Sequence, residues 1–225
     1  MGKLYLVPTP IGNIEDITFR AIKVLKEADL ILVEDTRRSS KLLSHYGIHK
    51  LIKNYHTFNE HKKLNSFISE LKKGKSIVLI TDAGTPSISD PGFLLVRESL
   101  KNEIEVECLP GATALIPALV QSGLSSDRFI FEGFLPVRKG RKKRLKELEQ
   151  DPRTIIVYEA PHRIVKSLYD FSNIFGSDRR ISISREMTKL YQETYRGSIN
   201  DAINYFENKS VKGEFVICIS GKPHK

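Results

Sequence analysis

Residues Asn59–Gly92 read NEHKKLNSFISELKKGKSIVLITDAGTPSISDPG, and this stretch indicates the class of fold. Asn59–Lys73 carries apolar residues at positions i, i+3, i+4 and i+7 and is followed by Gly74, a pattern that predicts an amphipathic helix. Ser76–Thr81 (SIVLIT) is short and almost wholly apolar, which is typical of a buried strand. A long Pro/Gly loop, Asp82–Gly92, follows. Helix, buried strand and loop in this order indicate a parallel sheet covered by helices.

The same alternation continues on both sides of this stretch. Upstream, Lys3–Val7 and Leu30–Glu34 are predicted strands, and Ile17–Ala28 between them has one apolar helical face. Downstream, a strand is predicted at Ile104–Leu109 and a helix at Ala112–Ser122. Strands that alternate with helices predict βαβ units and therefore a parallel sheet.

A second cycle of elements follows Gly123. Its predicted strands are Phe129–Phe131, Thr154–Tyr158, Ile181–Ser184, Leu190–Arg196 and Glu214–Ser220, and its predicted helices are Arg138–Gln150, His162–Phe175 and Ser198–Phe206. We expect the basic segment Arg138–Gln150 to be an exposed helix. The short stretch Ser122–Asp127 (SGLSSD) is the best linker candidate between the two halves.

Composition excludes several classes of protein. The chain has 225 residues and a formal net charge of +9, with 40% apolar residues, the balance of a core-forming protein. Its longest apolar run, Ala114–Val120, is far shorter than the roughly 20 residues of a membrane span, and the N-terminus lacks a signal-peptide pattern. Cys108 and Cys218 lie far apart, which favours a reducing cytoplasm and predicts two inert core thiols.

The positive charge is concentrated in one segment. Residues 1–123 have a net charge of +2, residues 124–225 have +7, and Arg138–Lys146 (RKGRKKRLK) contains seven basic residues and no acid. A solvated helix is one interpretation, but such a helix is normally balanced by acidic partners one turn away. We favour RNA contact, in which basic side chains bind phosphates and no aromatic residue stacks on bases. The predicted RNA-binding residues are Arg138, Lys139, Arg141, Lys142, Lys143, Arg144 and Lys146.

Three Pro/Gly loops follow predicted strands. They are loop 1, Pro8–Asn13 (PTPIGN), loop 2, Asp82–Gly92 (DAGTPSISDPG), and loop 3, Pro110–Thr113 (PGAT). Ligands of open parallel sheets bind beyond the carboxyl ends of the strands, so the three loops predict one small-molecule pocket. Ordinary βα turns are also rich in Gly and Pro, which is sufficient to explain loop 1 alone. Loop 2 is much longer than a plain turn of roughly 2–6 residues.

Familiar nucleotide and hydrolase motifs are absent from the sequence. It contains no G-x-G-x-x-G, no G-x-x-x-x-G-K-[ST] and no G-x-S-x-G, so the usual dinucleotide fingerprint, the P-loop and the nucleophile elbow have no support. Histidines His45, His49, His56, His61 and His224 have no cysteine at metal-ligand spacing. We therefore predict no metal site.

Seven motifs carry a resemblance to a known family. In chain order they read VPTPIGNIEDITFRA, VEDTR, DAGTPSISDPG, PGATALIPALVQSGL, FEGFLP, YEAPHR and SREMTK. Together they resemble the ribosomal RNA small subunit methyltransferase I family of the tetrapyrrole-methylase superfamily, over essentially Lys3–Gly221. Many members carry a further C-terminal helical extension, whereas this sequence ends at Lys225, soon after the last predicted strand.

The resemblance implies a fold and an activity. The implied fold has two α/β domains, residues 1–123 with a mostly parallel sheet and residues 124–225 with a mixed sheet, and S-adenosylmethionine in the cleft between them. The implied reaction is 2′-O-methylation of a cytidine ribose in the decoding region of small-subunit (16S) ribosomal RNA. The substrate is that RNA or the assembled small subunit, and the implied enzyme is a homodimer.

The resemblance also implies a set of cofactor-binding residues. In the first half these are Pro10, Asp82, Ala83, Gly84, Thr85, Ser87, Ile88, Asp90, Pro110, Gly111 and Ala112, and in the second half Leu135, Tyr158 and Ala160. The methyl group of the cofactor is already activated by its sulfonium, so the remaining task is to position a hydroxyl and assist loss of its proton.

The YEAPHR motif supplies the candidate catalytic residues. One hypothesis has Glu159 or His162 assist proton removal while Arg163 holds a phosphate. Glu159 would need a raised pKa, which burial can provide. The alternative is a structural ion pair between Glu159 and Arg163.

Two further motifs supply candidate RNA contacts. Arg37 of VEDTR is predicted to bind a phosphate, whereas Asp35 is either functional or a helix cap paired with Arg37. Arg185 and Lys189 of SREMTK are predicted substrate contacts, with a surface salt-bridge cluster as the alternative.

Two other functions remain open. A methyltransferase of a tetrapyrrole or another small molecule would leave the basic segment unexplained. A non-catalytic RNA-binding assembly factor would leave the three loops unexplained.

Overall fold

The computed structural model of the chain describes residues 2–209 and 211–222. The chain divides into two compact units, Met1–Thr113 and Ala114–Lys225. The sequence pattern predicts a boundary later, near Ser122–Asp127. The helix that precedes that linker, Leu115–Ser122, packs on strands of the second sheet, and the division therefore falls before the helix.

The first unit is a parallel sheet covered by helices. Its elements are β1 (Lys3–Leu6), α1 (Phe19–Glu27), β2 (Leu30–Val33), α2 (Thr36–His45), β3 (Ile52–Asn54), α3 (Glu60–Lys72), β4 (Ser76–Leu79), α4 (Phe93–Lys101) and β5 (Glu105–Cys108). The strand order is β3-β2-β4-β1-β5, and every neighbouring pair is parallel. All five strands therefore end at the same edge, from which loops 1, 2 and 3 extend.

The sheet is buried on both faces. Leu32 and Leu79 face a core that includes side chains of α3 and α4. Ile31 and Val78, one position earlier on the same strands, face a second core with α1 and α2. Because both faces are covered, β2 and β4 are continuous apolar runs without alternation.

Three elements of the first unit have no clear signal in the sequence. The only buried residues of α2 are Ser39 and Leu43, so this largely polar helix shows no apolar stripe. Strand β3 is three residues long, has no buried residue and lies at the sheet edge. Helix α4 begins directly after loop 2, at a point where the Pro/Gly pattern dominates the sequence.

The second unit contains a mixed sheet. Its elements are α5 (Leu115–Ser122), β6 (Phe129–Phe134), α6 (Arg141–Glu149), β7 (Thr154–Glu159), α7 (Ile164–Phe175), β8 (Arg180–Arg185), β9 (Glu193–Ser198), α8 (Ile199–Glu207) and β10 (Phe215–Ile219). The strand order is β6-β7-β10-β8-β9, in which only the β6–β7 pair is parallel. A parallel sheet followed by a mixed sheet confirms the predicted fold class.

The two cysteines have different environments. Cys218 is buried in the central strand β10, and burial raises the pKa of its thiol to about 12. Cys108, predicted to lie in the core, is exposed instead, because β5 is an edge strand of its sheet. Across residues 2–209 and 211–222, no helix combines the length and apolar character needed to span a bilayer.

Candidate functional site

Loops 1, 2 and 3 are bonded to one another at the carboxyl edge of the first sheet. Thr9 of loop 1 and Gly84 of loop 2 exchange two backbone hydrogen bonds of 3.0 and 2.9 Å. The Thr9 hydroxyl also donates to the carbonyl of Thr81, at 3.0 Å. Thr85 of loop 2 donates its hydroxyl to the carbonyl of Ala112 in loop 3, at 3.1 Å. The predicted cofactor segments of the first unit therefore form one continuous surface.

Close packing between loops 1 and 3 requires a glycine. A Cβ atom at Gly111 would lie 2.8 Å from the Cβ of Pro8, well inside normal contact distance. Loop 2 has a strained backbone, since Ser87 and Ser89 have φ values of 71° and 63°. Such left-handed conformations cost side-chain-bearing residues about 1–3 kcal/mol and are concentrated at functional sites.

The chemistry of loop 2 fits a small molecule with polar and apolar parts. Thr81 Oγ1 and Ser87 Oγ are buried and have no hydrogen-bond partner among the residues that the structure describes. Ile88, an apolar residue in the same loop, is 37% exposed. Unpartnered hydroxyls beside an exposed apolar side chain suit a ligand such as S-adenosylmethionine, with its amino-acid group and aromatic base.

Asp82, the first residue of loop 2, links this loop to the end of β2. Asp82 Oδ1 accepts a hydrogen bond from the Asp35 amide at 3.1 Å, and Asp82 Oδ2 lies 3.1 Å from Arg38 Nη1. The Asp82 amide in turn donates to Glu34 Oε2 at 3.4 Å. Glu34 and Arg38 were not among the predicted site residues. Glu34 lies within the VEDTR motif and Arg38 directly follows it, and this motif is the signal that identifies them.

Glu34 is an unusual carboxyl group at this edge. Burial raises the pKa of Glu34. The hydrogen bond from the Asp82 amide lowers this pKa, whereas the negative charge of Asp82 raises it further. A raised pKa beside a candidate ligand surface is a common feature of functional sites.

His56, which follows β3, has a defined hydrogen-bond pattern. The His56 amide donates to Asn59 Oδ1 at 3.0 Å, so the Asn59 side-chain nitrogen faces His56 Nε2, also at 3.0 Å. An amide nitrogen only donates, and Nε2 must therefore accept, which places the proton of a neutral ring on Nδ1. Nδ1 is buried without a hydrogen-bond partner among the described residues.

Asp35 and Arg37 have the geometry of the cap alternative. Asp35 Oδ1 accepts a hydrogen bond from the Arg37 amide at 2.8 Å, as the N-cap of α2. Asp35 Oδ2 also pairs with Arg37 Nη2 at 3.1 Å, and this partner lowers the pKa of Asp35. The Arg37 side chain is nevertheless 89% exposed, so its guanidinium is accessible to a phosphate.

In the second unit, the YEAPHR turn is organised around Glu159. Glu159 is 2% exposed and lies 3.2 Å from Arg163 Nε. Its carboxylate also accepts hydrogen bonds from the Ala160 amide and the Ser167 hydroxyl. Arg163 additionally donates to the carbonyl of Leu135, at 2.9 Å. This geometry favours the structural ion pair over a free carboxylate for Glu159.

The remaining predicted residues of this region differ in accessibility. His162 is exposed in the 3-10 turn that precedes α7. Tyr158 is half-buried and packs edge-on against Phe131 and Phe134. Leu135, which the resemblance implies as a cofactor residue, packs in the hydrophobic core of the second unit.

The basic segment contains two arginines that are not free. Arg141 is 6% exposed, and its Nε donates to Asp170 at 2.7 Å while its Nη2 donates to Ser167 at 2.7 Å. Arg144 pairs with Glu132 and with Glu147. The prediction of an uncompensated charge run is therefore wrong for these two residues, because acids on other elements and at i+3 neutralise them.

The other basic residues of the segment are exposed. Within the described ranges 2–209 and 211–222, no ion-pair partner contacts any of the other five basic residues, which are Arg138, Lys139, Lys142, Lys143 and Lys146. The helix itself is half-buried, since Leu145 and Leu148 pack in the core.

Arg185 and Lys189 lie in a salt-bridge cluster. Arg185 donates to the carbonyl of Lys212 at 2.6 Å and pairs with Glu193 at 3.4 Å. Lys189 pairs with Glu186 at 2.9 Å and also with Glu214. This is the geometry of the surface-cluster alternative.

No candidate metal centre is present in the described part of the chain, where no three His, Cys, Asp or Glu residues converge. His224 lies outside the described residues.

Comparison with known proteins agrees with the geometry. The model of the tetrapyrrole (corrin/porphyrin) methylase family matches residues 3–203. A ribosomal RNA small subunit methyltransferase I of Thermotoga maritima is 48% identical over 222 residues, which cover 99% of this chain and 100% of that protein. The protein of the same name from Synechocystis sp. is 47% identical, and the match covers 98% of this chain and 80% of that protein.

A solved structure shares the fold. The crystal structure of the methyltransferase CobJ has a TM-score of 0.72 and 17% identity, and the match covers 100% of this chain and 98% of that chain. The chain therefore belongs to the tetrapyrrole (corrin/porphyrin) methylase family and, within it, to the ribosomal RNA small subunit methyltransferase I group.

Proposed function

We propose that this protein is an S-adenosylmethionine-dependent methyltransferase of small-subunit ribosomal RNA. The finer proposal is transfer to the 2′-hydroxyl of a cytidine ribose in the decoding region. The observation that carries the activity is the surface of loops 1, 2 and 3, joined by the Thr9–Gly84 bridge and the Thr85–Ala112 hydrogen bond. Relatives named for ribosomal RNA methylation, 47–48% identical over nearly the whole chain, support the substrate.

The loops of the first unit would hold the cofactor, which supplies a methyl group already activated by positive charge on sulfur. Backbone amides of loops 2 and 3 suit its carboxylate, and the buried Ser87 hydroxyl has no hydrogen-bond partner among the described residues. Ile88 offers an apolar contact for the adenine. The chain contributes mainly position, because an in-line approach of hydroxyl to methyl is the principal geometric requirement.

Proton removal from the substrate hydroxyl is assigned to His162 in this proposal. Of the two candidate bases, His162 is the exposed one, whereas Glu159 is engaged by Arg163, Ala160 and Ser167. Glu159 would then act as a positioning residue that holds the turn and Arg163. We further propose a cytoplasmic homodimer whose substrate is the small-subunit RNA, free or in the assembled subunit.

The deciding experiment supplies labelled S-adenosylmethionine with small ribosomal subunits that lack the modification, and in parallel with the protein-free RNA. We expect label in the RNA, recovered after alkaline hydrolysis as a resistant dinucleotide, because a 2′-O-methyl group blocks cleavage. A Gly111→Ala variant, in which loops 1 and 3 cannot pack as observed, is the matched control. Label in a tetrapyrrole substrate but not in RNA would contradict the proposal, as would RNA binding without transfer under conditions where the cofactor binds.

A further inference from the structure

A groove of about 560 Å³ runs between α6 and α7 in the second unit. Its basic lining comes from two separate parts of the sequence. Arg138, Lys142 and Lys146 belong to the basic segment, whereas Lys166 comes from α7. Val137 and Ile174 form an apolar part of the lining, beneath which Leu145 is buried in the core. No motif in the sequence assigns Lys166 a role.

The groove carries a strong positive charge that the protein does not neutralise. Arg138, Lys142, Lys146 and Lys166 are exposed and, in the described part of the chain, have no ion-pair partner. The acidic lining residue Asp170 is already bound to Arg141 at 2.7 Å. Four cations that face one concave surface favour a polyanion over a neutral ligand.

The arrangement of the cations fits an extended strand. Lys142 and Lys146 are one helical turn apart, which separates them by about 6 Å along α6, and Lys166 lies on the facing helix. Successive phosphates along one strand can therefore meet successive lysines from both walls. Val137, a lining residue that is 61% exposed, offers an apolar contact for a ribose or base, which a simple inorganic anion does not need.

We infer that the α6–α7 groove binds the sugar-phosphate backbone of an RNA strand, through Arg138, Lys142, Lys146 and Lys166. This inference rests on the proposed function and divides the basic segment into three roles. Arg141 and Arg144 are structural, the groove-lining residues bind phosphates, and Lys139 and Lys143 lie outside the groove lining.

The chain offers a matched test of this division. Two double variants remove the same charge from exposed positions. The groove variant is Lys142→Gln/Lys166→Gln, whose residues line the groove, and the control variant is Lys139→Gln/Lys143→Gln, whose residues do not. Binding of a fluorescent single-stranded RNA from the decoding region would be measured by anisotropy between 0.05 and roughly 0.3 M salt. For the groove variant we expect roughly tenfold weaker binding near 0.15 M salt and a log–log salt slope reduced by about 1.4, the value for two lost phosphate contacts.

The control variant should lose far less affinity and keep nearly the full salt slope. Equal losses in the two variants would indicate diffuse attraction and overturn the inference, as would unchanged RNA affinity in the groove variant. Tighter binding to vesicles with anionic lipids than to RNA would overturn it in favour of a membrane surface. Cofactor affinity, measured by calorimetry, should stay unchanged in both variants and confirms that they fold.

Failure of the inference is distinguishable from failure of the proposed function. If the wild-type protein binds RNA through the groove but transfers no methyl group, the proposed function fails and the groove assignment stands. If the wild-type protein methylates RNA while both variants bind it equally, the groove assignment fails alone.

Discussion

Arg141 Nη2 lies 3.9 Å from Glu159 Oε2, and both side chains are buried. Ser167 bridges the pair, since its hydroxyl accepts from Arg141 and donates to Glu159. Asp170 completes the network at 2.7 Å from Arg141. The basic segment and the YEAPHR turn, which are separate motifs in the sequence, are thus joined inside the second unit by one charged network.

Loss of Arg141 should strongly destabilise the second unit. Arg141→Gln leaves Glu159 without one of its two arginines and Asp170 without its arginine partner, and breaking a buried ion pair costs about 3–5 kcal/mol. We expect a correspondingly lower free energy of unfolding in urea. Lys142→Gln, on the exposed side of the same helix, should change the stability by less than about 0.5 kcal/mol. Equal stabilities of the two variants would contradict a structural role for Arg141.

His162 and Glu159 should respond differently to substitution. His162→Ala removes an exposed side chain, so we expect stability within about 0.5 kcal/mol of wild type but a methyl-transfer rate lower by roughly 10²–10⁴-fold, as for loss of a general base. The rate would be measured in single-turnover reactions with saturating cofactor. A wild-type rate in His162→Ala would end its catalytic role.

Glu159→Gln provides the contrast for that experiment. The amide keeps a hydrogen-bond acceptor near Ala160 and Ser167 but leaves the Arg163 charge unbalanced. It also removes one of the two acidic partners of Arg141, which keeps Asp170. We therefore expect a clear loss of stability in thermal unfolding. A normally stable Glu159→Gln protein that lacks activity would return Glu159 to the role of base.

Much of this architecture is readable from local sequence. Strands such as Ser76–Leu79 are short apolar runs, and the loops after them are marked by Gly and Pro. Patterns within about ten residues therefore predict both the parallel sheet and the sheet edge at which the candidate site lies. The pairing of Thr85 with Ala112 follows because parallel strands end together. Helix α2 could not be predicted in this way, because a helix with only two buried residues shows no apolar periodicity in its sequence.

Ion pairs between residues far apart in the sequence cannot be predicted from such local patterns. Arg141 and Arg144 look like solvated charges in the sequence, but Asp170 and Glu132, which neutralise them, lie on other elements. Charge balance is set by three-dimensional neighbours, whereas the sequence displays only chain neighbours. The same limit hides Lys166, whose relation to the basic segment exists only through the packing of α6 on α7.

Glu34 should make stability depend on pH. Its pKa is raised in the folded protein by burial, so ionisation of Glu34 opposes folding as the pH rises above the ordinary carboxyl value of about 4.3. Glu34→Gln keeps an acceptor for the Asp82 amide and removes that charge. We expect a higher melting temperature than wild type at pH 8 and a smaller difference at pH 4.5.

The control for this prediction is Glu15→Gln, which alters an exposed carboxylate in the same unit. It should show little difference from wild type at either pH. The opposite result would be a Glu34→Gln variant whose melting temperature, relative to wild type, is lower at pH 8 than at pH 4.5. That result would exclude burial as the cause of the raised pKa of Glu34.

Gly111 should be required for cofactor affinity. A methyl group at this position would overlap Pro8, so Gly111→Ala should separate loops 1 and 3 at a cost of about 1–3 kcal/mol. We expect S-adenosylmethionine affinity, measured by calorimetry, to fall at least about tenfold, or 1.4 kcal/mol. Gly47→Ala, strained by its φ of 62° but in open space, should lose about 1 kcal/mol of stability and keep its affinity. Similar affinities of the two variants would rule out a role of this contact in binding.

The position of β1 in the first sheet determines when the surface of loops 1, 2 and 3 can form during synthesis. Lys3 pairs with Ser76 on one side and with Glu105 on the other, so the first strand to be synthesised needs partners made much later. Contacts between such distant parts of a chain form slowly, because a long loop must close first. The Thr9–Gly84 bridge depends on the same long-range pairing. A ribosome must therefore synthesise β5 and loop 3 before this unit can assemble the complete surface of loops 1, 2 and 3, and β1 remains without either of its sheet partners until β4 has been made.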